Sequence, residues 1–468
     1  MVKMDLGSEK TYPNLLRLAI PSMIAQLVNV LYSIVDRIYV GNMPGDGQQA
    51  LVGVGVVAPI CTAISSFAFL VGLGGAPLFS IALGEKNEAR AKKIMANSLL
   101  LLIVLSTVLM IVLYACLNPM LFAFGASEAS FPYARTYMLI YLAGTYFSLI
   151  SSGMAQFLIA QGESMKNMVT TAAACLFNIG LDPLFLYVFH MGIAGAALAT
   201  ILCQAISFLL CILFLRHSPI RLSFGHYDLK LMRKILRLGL SPFIILVTDS
   251  VILIAINAVL ERVGGADGDL YIEVQTITMA FETLITGPLL GISSGTQPLL
   301  GYNFGAKNFR NIKMAETQLI ISAVVFTSVC FGLSFVLSGP FARMFVGFSS
   351  KDSADSARII EYSIKYIRVY MIGIIPLAFQ YVFVDGLTGM GQADKSIWLS
   401  LARKIFLFLP LSIILPYATH NPGMTFYAEM IADVASAVIS TTAYLIMIPK
   451  IFRKRNAEVV THDPEDKA

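Results

Sequence analysis

The run Asn178-Ile179-Gly180-Leu181-Asp182-Pro183 puts a carboxylate inside an otherwise apolar segment. An acid at membrane depth is costly, and such residues face a cavity, pair with a neighbour, or mark an ion or substrate path. Asn178 and Asp182 are four apart, so on a helix they share one face. Pro183 removes a backbone donor from the following turn, which frees a carbonyl nearby. Two side-chain oxygens beside a loosened backbone suit a small cation or a proton. The competing reading of Asp182 is a structural bond to a neighbouring helix.

Depth brings two further groups to the same level. Asp182 precedes the turn at His190 by eight residues, Thr200 follows Gly192 by eight, and Asp36 precedes Gly41 by five. At 1.5 Å per residue all three lie roughly 8–12 Å below the outer boundary. Asp36, Asn178, Asp182 and Thr200 therefore form one candidate set, although Asp36 beside Arg37 also reads as an exposed helix end.

A second set lies deeper. Asp249 and Glu282 fall near the middle of their segments, where carboxylates would draw cationic substrate into a cavity or simply line it as solvated groups. Aromatic residues, with Tyr32, Tyr141 and Phe281 as the candidates, suit flat lipophilic cations through dispersion and cation-π contacts, against a default of core or lipid packing. Asp385, Glu429 and Asp433 read as weaker candidates, since Arg403, Lys404, Lys365 or Arg368 would pair with them structurally. Gly287, Gly291 and Gly295, flanked by Pro288 and Pro298, make a small-residue stripe for close helix approach, with a hinge as the sharper alternative.

The elements that position these residues follow from composition. Of 468 residues, 57% are hydrophobic and 13% charged, half the charge of an ordinary soluble domain, so the chain is a polytopic membrane protein. Apolar segments able to cross a core of ~30 Å fall at 14–40, 51–83, 95–117, 131–159, 167–190, 193–216, 235–262, 271–303, 314–337, 358–388, 396–418 and 423–449, which makes twelve. Basic residues collect in alternate loops, around Lys86 to Lys93, Arg216 to Arg237, Lys307 to Lys313, Lys395 to Lys404 and Lys450 to Arg455. Both termini are therefore expected on the cytoplasmic side of the cell membrane. The least clear outer loop, 338–357, holds Arg343 and Lys351 against Asp352 and Asp355. The net charge of +5 is spread over short loops, so no nucleic-acid partner is expected. The six cysteines lack the spacing of a zinc site or disulfide framework.

The chain repeats itself. Pro77, Gly84, Lys86, Asn87 and Lys92 recur as Pro298, Gly305, Lys307, Asn308 and Lys313, each displaced by 221. Tyr133, Tyr137, Tyr141, Gly144, Gly162 and Lys166 recur displaced by 229 as Tyr362, Tyr366, Tyr370, Gly373, Gly391 and Lys395. A duplicated six-helix unit enters the membrane twice from the same side, an architecture of alternating-access transporters. The expected division is an N-lobe at 1–216, a linker at 217–234, a C-lobe at 235–450 and a polar tail at 451–468.

Soluble-enzyme chemistry is missing from the sequence: it contains no Walker A run, no H-E-x-x-H and no Cys/His cluster, so neither enzyme activity nor an organic cofactor is expected. Instead, the run from Gly291 through Gln297-Pro298-Leu299-Leu300-Gly301-Tyr302-Asn303-Phe304-Gly305-Ala306, together with Val35-Asp36-Arg37-Ile38-Tyr39-Val40-Gly41, resembles the multidrug and toxic compound extrusion (MATE) family, bacterial branch, over Asn14 to Lys450. The resemblance implies an all-α protein of twelve transmembrane helices in two parallel lobes, working as a monomer. It implies export of lipophilic cations in exchange for Na+ or H+, bound in the first lobe at the positions of Asp36, Asn178, Asp182 and Thr200. Another branch uses acids on the seventh and tenth helices; here Phe379 stands at the tenth-helix position and Asp385 is displaced. Ala160-Gln161-Gly162 carries glutamine where the family usually has glutamate. A flippase for a lipid-linked precursor is the alternative, but it would call for basic residues in the cavity, and the clearest intramembrane ionisable residues here are acids.

Overall fold

A computed structural model describes residues 6–41, 47–124, 126–128, 130–347 and 353–457. Lys351, Asp352 and the tail beyond Ala457 lie outside these. Within the described residues the chain is helical: α1 (Thr11–Gly41), α2 (Gly47–Gly84), α3 (Glu88–Ala115), α4 (Leu117–Ala123), α5 (Phe131–Ala160), α6 (Ser164–Pro183), α7 (Ile193–Arg216), α8 (Leu229–Gly264), α9 (Gly268–Gly305), α10 (Phe309–Gly347), α11 (Ser353–Ile372), α12 (Ile374–Gly389), α13 (Ala393–Leu401), α14 (Leu409–Thr419) and α15 (Met424–Ala457). Lipid offers no partner for backbone N–H and C=O groups, so segments this apolar satisfy them internally as helices.

The twelve expected segments are all present. Ten helical stretches of the described residues are long and apolar enough to cross a membrane. One of them, Pro242–Gly305, contains two helices, α8 and α9, meeting at the 3-10 turn Gly265–Asp267. A further span is made by α11 and α12 together, bent by 48° at Gly373. The short α4 lies between spans.

The duplication extends to the backbone. Lys86 and Lys307 both turn left-handed after the second helix of their repeat, with φ of 56° and 59°. Gly162 and Gly391 (81° and 74°) do so after the fourth, and His190 and His420 (both 52°) after the fifth. Asn87 accepts the Arg90 N–H at the start of α3 and Asn308 accepts the Asn311 N–H at the start of α10, at 2.9 and 3.1 Å. These caps fill the orphan donors of each helix N-terminus.

Two compact units emerge. One comprises Arg17–Phe79 and Asn87–Ser250; the other comprises Met1–Leu16, Ser80–Lys86 and Val251–Ala468. We call them the N unit and the C unit. In the N unit, α7 packs along α5 and α6 around a core that includes Met138, Leu142, Leu149 and Ala196. In the C unit, α15 packs on α12 and α14, and α9 on α10 and α11, around Val274, Ile367, Met371 and Phe426. Within the C unit the repeat-related glycines face each other's backbones. A Cβ on Gly84 would stand 1.9 Å from the Tyr302 carbonyl oxygen, and one on Gly305 2.2 Å from that of Ile81. Since Ile81 and Tyr302 are themselves repeat-related, the contact is reciprocal, and only glycine fits on either side.

Candidate functional site

Asn178 and Asp182 occupy successive turns of α6 and are 1% and 0% exposed. Both side-chain atoms of the Asn178 amide and both oxygens of the Asp182 carboxylate are buried with no hydrogen-bond partner. Each such orphan costs about 1–3 kcal/mol. Three of the four, the Asn178 carbonyl oxygen and the two Asp182 oxygens, are acceptors on one face of one helix, and a positive species would satisfy them.

The other expected members are at hand, all in the N unit. Asp182 faces the Asp36 carboxylate of α1 as well as the Asn178 amide. Tyr32, one turn before Asp36, faces both carboxylates and Thr200. Thr200, on α7, donates its hydroxyl to the Ala196 carbonyl at 3.0 Å, which leaves the hydroxyl oxygen to act as an acceptor. Tyr137 of α5 approaches Asp36, Tyr32 and Thr200. Two carboxylates, an amide carbonyl and a hydroxyl make a hard oxygen donor set, suited to a hard cation or to a shared proton. Among the described residues no three His, Cys, Asp or Glu side chains converge to hold a metal.

The backbone just past Asp182 is distorted. Pro183 ends the α-helical register, and the chain continues as a wide π-helical turn over Leu184–Val188, with the Phe189 N–H donating to the Leu184 carbonyl at 2.9 Å. Such turns recur at functional sites. The turn carries Tyr187, whose hydroxyl donates to the Tyr39 carbonyl of α1 at 3.0 Å and so ties the C-terminal ends of the two helices together.

The second expected set divides between the units. Tyr32, Tyr141 and Asp249 belong to the N unit, whereas Phe281 and Glu282 belong to the C unit. Tyr32 stands in the carboxylate site itself. Tyr141 is buried, stacked on Tyr137 with ring centroids 6.1 Å apart, and close to Cys61, Ser65 and Gln204. Phe281 is buried edge-on to Phe341 at 5.1 Å. Asp249 is exposed on α8. In the glycine stripe, Gly291, Gly295 and Pro298 are buried and Gly287 half-buried, all within an unbroken α9.

Glu282 belongs to a buried charged cluster. Arg403 donates from Nε to Asp433 at 2.6 Å and from Nη2 to Glu429 at 3.3 Å. Arg403, one of the four bases that sequence offered as partners, is bonded to both Glu429 and Asp433. Asp385 is instead held by the Ser293 hydroxyl. Phe379 packs beside Phe383.

Three groups escaped the sequence reading. Tyr137 was visible only as one of a tyrosine series. The carboxylate of Glu316, buried on α10, accepts from the Tyr444 hydroxyl, and no motif announces it. Glu163 bonds Lys166 at 2.6 Å and takes the Ser218 hydroxyl, while Gln161 accepts the Ile220 N–H at 2.9 Å. With Lys93–Asp228 at 2.9 Å and Asn97 bonded to both His226 and Asp228, these contacts fasten residues 218–228 to the N unit. The signal available was Gln161-Gly162-Glu163 beside a polar linker.

Fold and site together define a multi-pass, all-helical membrane transporter with a buried carboxylate site. The MatE family model matches residues 21–184 and 242–414, and the chain belongs to that family; it is a transporter and not an enzyme. It is 23% identical over 393 residues to multidrug export protein MepA of Staphylococcus haemolyticus, covering 83% of this chain and 84% of that one. It is 22% identical over 420 residues to a FAD transporter of Shewanella oneidensis, covering 88% and 89%. Among solved structures, an outward-facing multidrug resistance MATE family transporter of the MOP superfamily superposes with a TM-score of 0.89 at 21% identity, covering 97% of this chain and 99% of that one. A MOP superfamily transporter from Pyrococcus furiosus, described as having a reversed polarity of its binding pocket, gives 0.89 at 22% identity, covering 96% and 99%.

Proposed function

We propose that this chain exports lipophilic cations across the cell membrane in antiport with Na+ or H+, which binds at Asp36, Asn178, Asp182 and Thr200. The observation that carries the reading is the set of four orphaned polar atoms on Asn178 and Asp182 facing a second carboxylate. Two carboxylates in a low-dielectric site repel unless a cation or proton lies between them. Ion and drug then favour different states of the protein, and each promotes release of the other. In this reading residues 1–216 and 235–450 act as the two lobes, 217–234 as a cytoplasmic linker, both termini are cytoplasmic, and the protein works as a monomer. Substrate selection is assigned to Asp249, Glu282, Tyr32, Tyr141 and Phe281. The relatives named as multidrug export proteins support the substrate class.

Proteoliposomes loaded with ethidium test this, with a Na+ gradient and a pH gradient imposed separately. Asp36→Asn should abolish efflux under whichever gradient drives the parent, with no loss of folding. Efflux at the parental rate from that variant would refute the coupling role. The relative named as a FAD transporter raises an anionic substrate as a second reading. Competition of ethidium efflux by FAD would favour it.

A further inference from the structure

The C unit carries a group of bases outside its internal ion pairs, where the start of α13 meets the end of α15. Lys395, in the first turn of α13, donates its ammonium to the Gln392 side-chain carbonyl at 2.8 Å. The first repeat makes the same contact with a different outcome. There Lys166, displaced by 229, bonds the Glu163 carboxylate at 2.6 Å, so its charge is cancelled within one helical turn. Gln392 stands where the first repeat has Glu163, and a neutral amide leaves the Lys395 charge in place.

A second base faces it. Lys454 of α15 repels Lys395 more strongly than Asp394, its neighbour in the chain, attracts it. Arg455 is committed elsewhere, bonded to Glu85 and laid over the Phe304 ring at 5.4 Å. Lys450 stands one turn before Lys454 on the same face of α15, and both are exposed. Like charges held together beside a neutral amide attract an anion.

The surroundings of these bases are apolar. Trp398, three residues after Lys395 and the only tryptophan in the chain, is 66% exposed. Phe406, on the π-helical stretch Ala402–Phe408 that continues α13, and Ile446, one turn before Lys450, are exposed as well. With 34 residues α15 is about 51 Å long at 1.5 Å per residue. It overruns a hydrocarbon core of ~30 Å, so its basic last turns reach headgroup depth. Exposed Trp belongs at that same boundary. A small free anion would use the bases alone, whereas the apolar side chains leading away from them suit acyl chains.

We propose that Lys395, Lys450 and Lys454 bind the phosphate of an anionic phospholipid whose acyl chains lie along Trp398, Phe406 and Ile446. Basic pockets between membrane helices take such headgroups. None of these residues belongs to the carboxylate set, so the site stands or falls independently of the coupling reading.

The fluorescence of Trp398 reports the lipid beside it. Full-length protein in phosphatidylcholine vesicles is titrated with brominated phosphatidylglycerol, which quenches tryptophan on contact, and in parallel with brominated phosphatidylcholine. The anionic lipid should quench at a lower mole fraction. Lys395→Gln and Lys454→Gln should each cut that preference roughly fivefold. The triple variant that adds Lys450→Gln should abolish it, with quenching by brominated phosphatidylcholine unchanged. Gln392→Glu, which gives Lys395 the partner that Lys166 has, should weaken the preference as Lys395→Gln does. Lys92→Gln, at an exposed base of the N unit, should leave it unchanged. Equal quenching by the two lipids in the parent, a preference that survives in the triple variant, or an equal loss from Lys92→Gln would each overturn the proposal. So would its loss to inorganic phosphate at an ionic strength where chloride has no effect, which would mark a site for free phosphate instead.

Discussion

The two repeats solve the problem of a buried acid in opposite ways. In the N unit Asp182 and Asn178 keep all four side-chain polar atoms unbonded beside Asp36. In the C unit the acids are gathered around an internal guanidinium, with Arg403 bonded to Asp433 and Glu429. The corresponding helices show how the difference arises. Displaced by 229, Asn178 and Asp182 become Leu407 and Leu411, while Arg403 and Lys404 replace Ala174 and Cys175. One repeat thus leaves its acid and amide unpaired, and the other builds a covalently attached cation into the corresponding helix.

Breaking either arrangement tests the contrast. The largest effect is expected from Arg403→Met, which strands Asp433 and Glu429 without their partner. Loss of about 3–5 kcal/mol of stability is expected, read as a large fall in Tm. Adding Asp433→Leu and Glu429→Leu together should recover most of that loss, because removing all members of a buried ionic group is far milder than removing one. In the N unit the sign reverses. Asp182→Asn should preserve or raise Tm, while gradient-driven efflux falls by roughly 5–150-fold, the span of typical coupling free energies. A fall in Tm comparable to that of Arg403→Met would show that Asp182 is structural. Gly84→Ala sharpens the comparison by probing a contact the two repeats share. Its Cβ would meet the Tyr302 carbonyl, at a cost of about 1–3 kcal/mol, and Gly305→Ala should match it if the contact is reciprocal.

The smallest effect concerns Asp228. The Lys93 ammonium, followed by the N–H groups of Leu231 and Lys230, holds its carboxyl below the ordinary value of 3.8. A carboxyl depressed in the folded state contributes stability above its unfolded pKa and loses it as pH falls through the folded one. Hydrogen-exchange protection across residues 218–228, taken against the intrinsic rate at each pH, should therefore fall below about pH 4 while that of the rest of the chain holds. Asp228→Asn should give the same local acceleration at neutral pH.

The fold was legible because lipid enforces helices and the repeat displacement survives in Pro77, Gly84 and Lys86. The N-unit site was legible for a related reason. Depth can be counted along a helix, and Asn178 and Asp182 fix a face by their own spacing. The C-unit cluster was not, because pairing depends on rotation of each helix about its long axis. Hydropathy sets no rotation when every face is apolar, so Arg403, Lys404, Lys365 and Arg368 read alike as partners. Arg368 in fact bonds the Phe335 carbonyl at 3.2 Å and lies over its ring. Tyr32, grouped by sequence with the cavity aromatics, stands beside the carboxylate pair. It sits one turn from Asp36, which a helical count could have shown. The π-helical turns left no sequence mark beyond Pro183 and Pro410.

The turn over Leu184–Val188 amounts to one residue of slack in a membrane helix. Each residue of an α-helix advances about 100° around the axis. If the slack were taken up, everything beyond Pro183 would rotate by that angle, while Asp182, on the near side, stayed put. The Tyr187 tether to Tyr39 lies on the far side of the slack and the carboxylates on the near side. Deleting one residue from Leu184–Val188 would therefore leave the charges of the site intact and swing its outer tether away from α1.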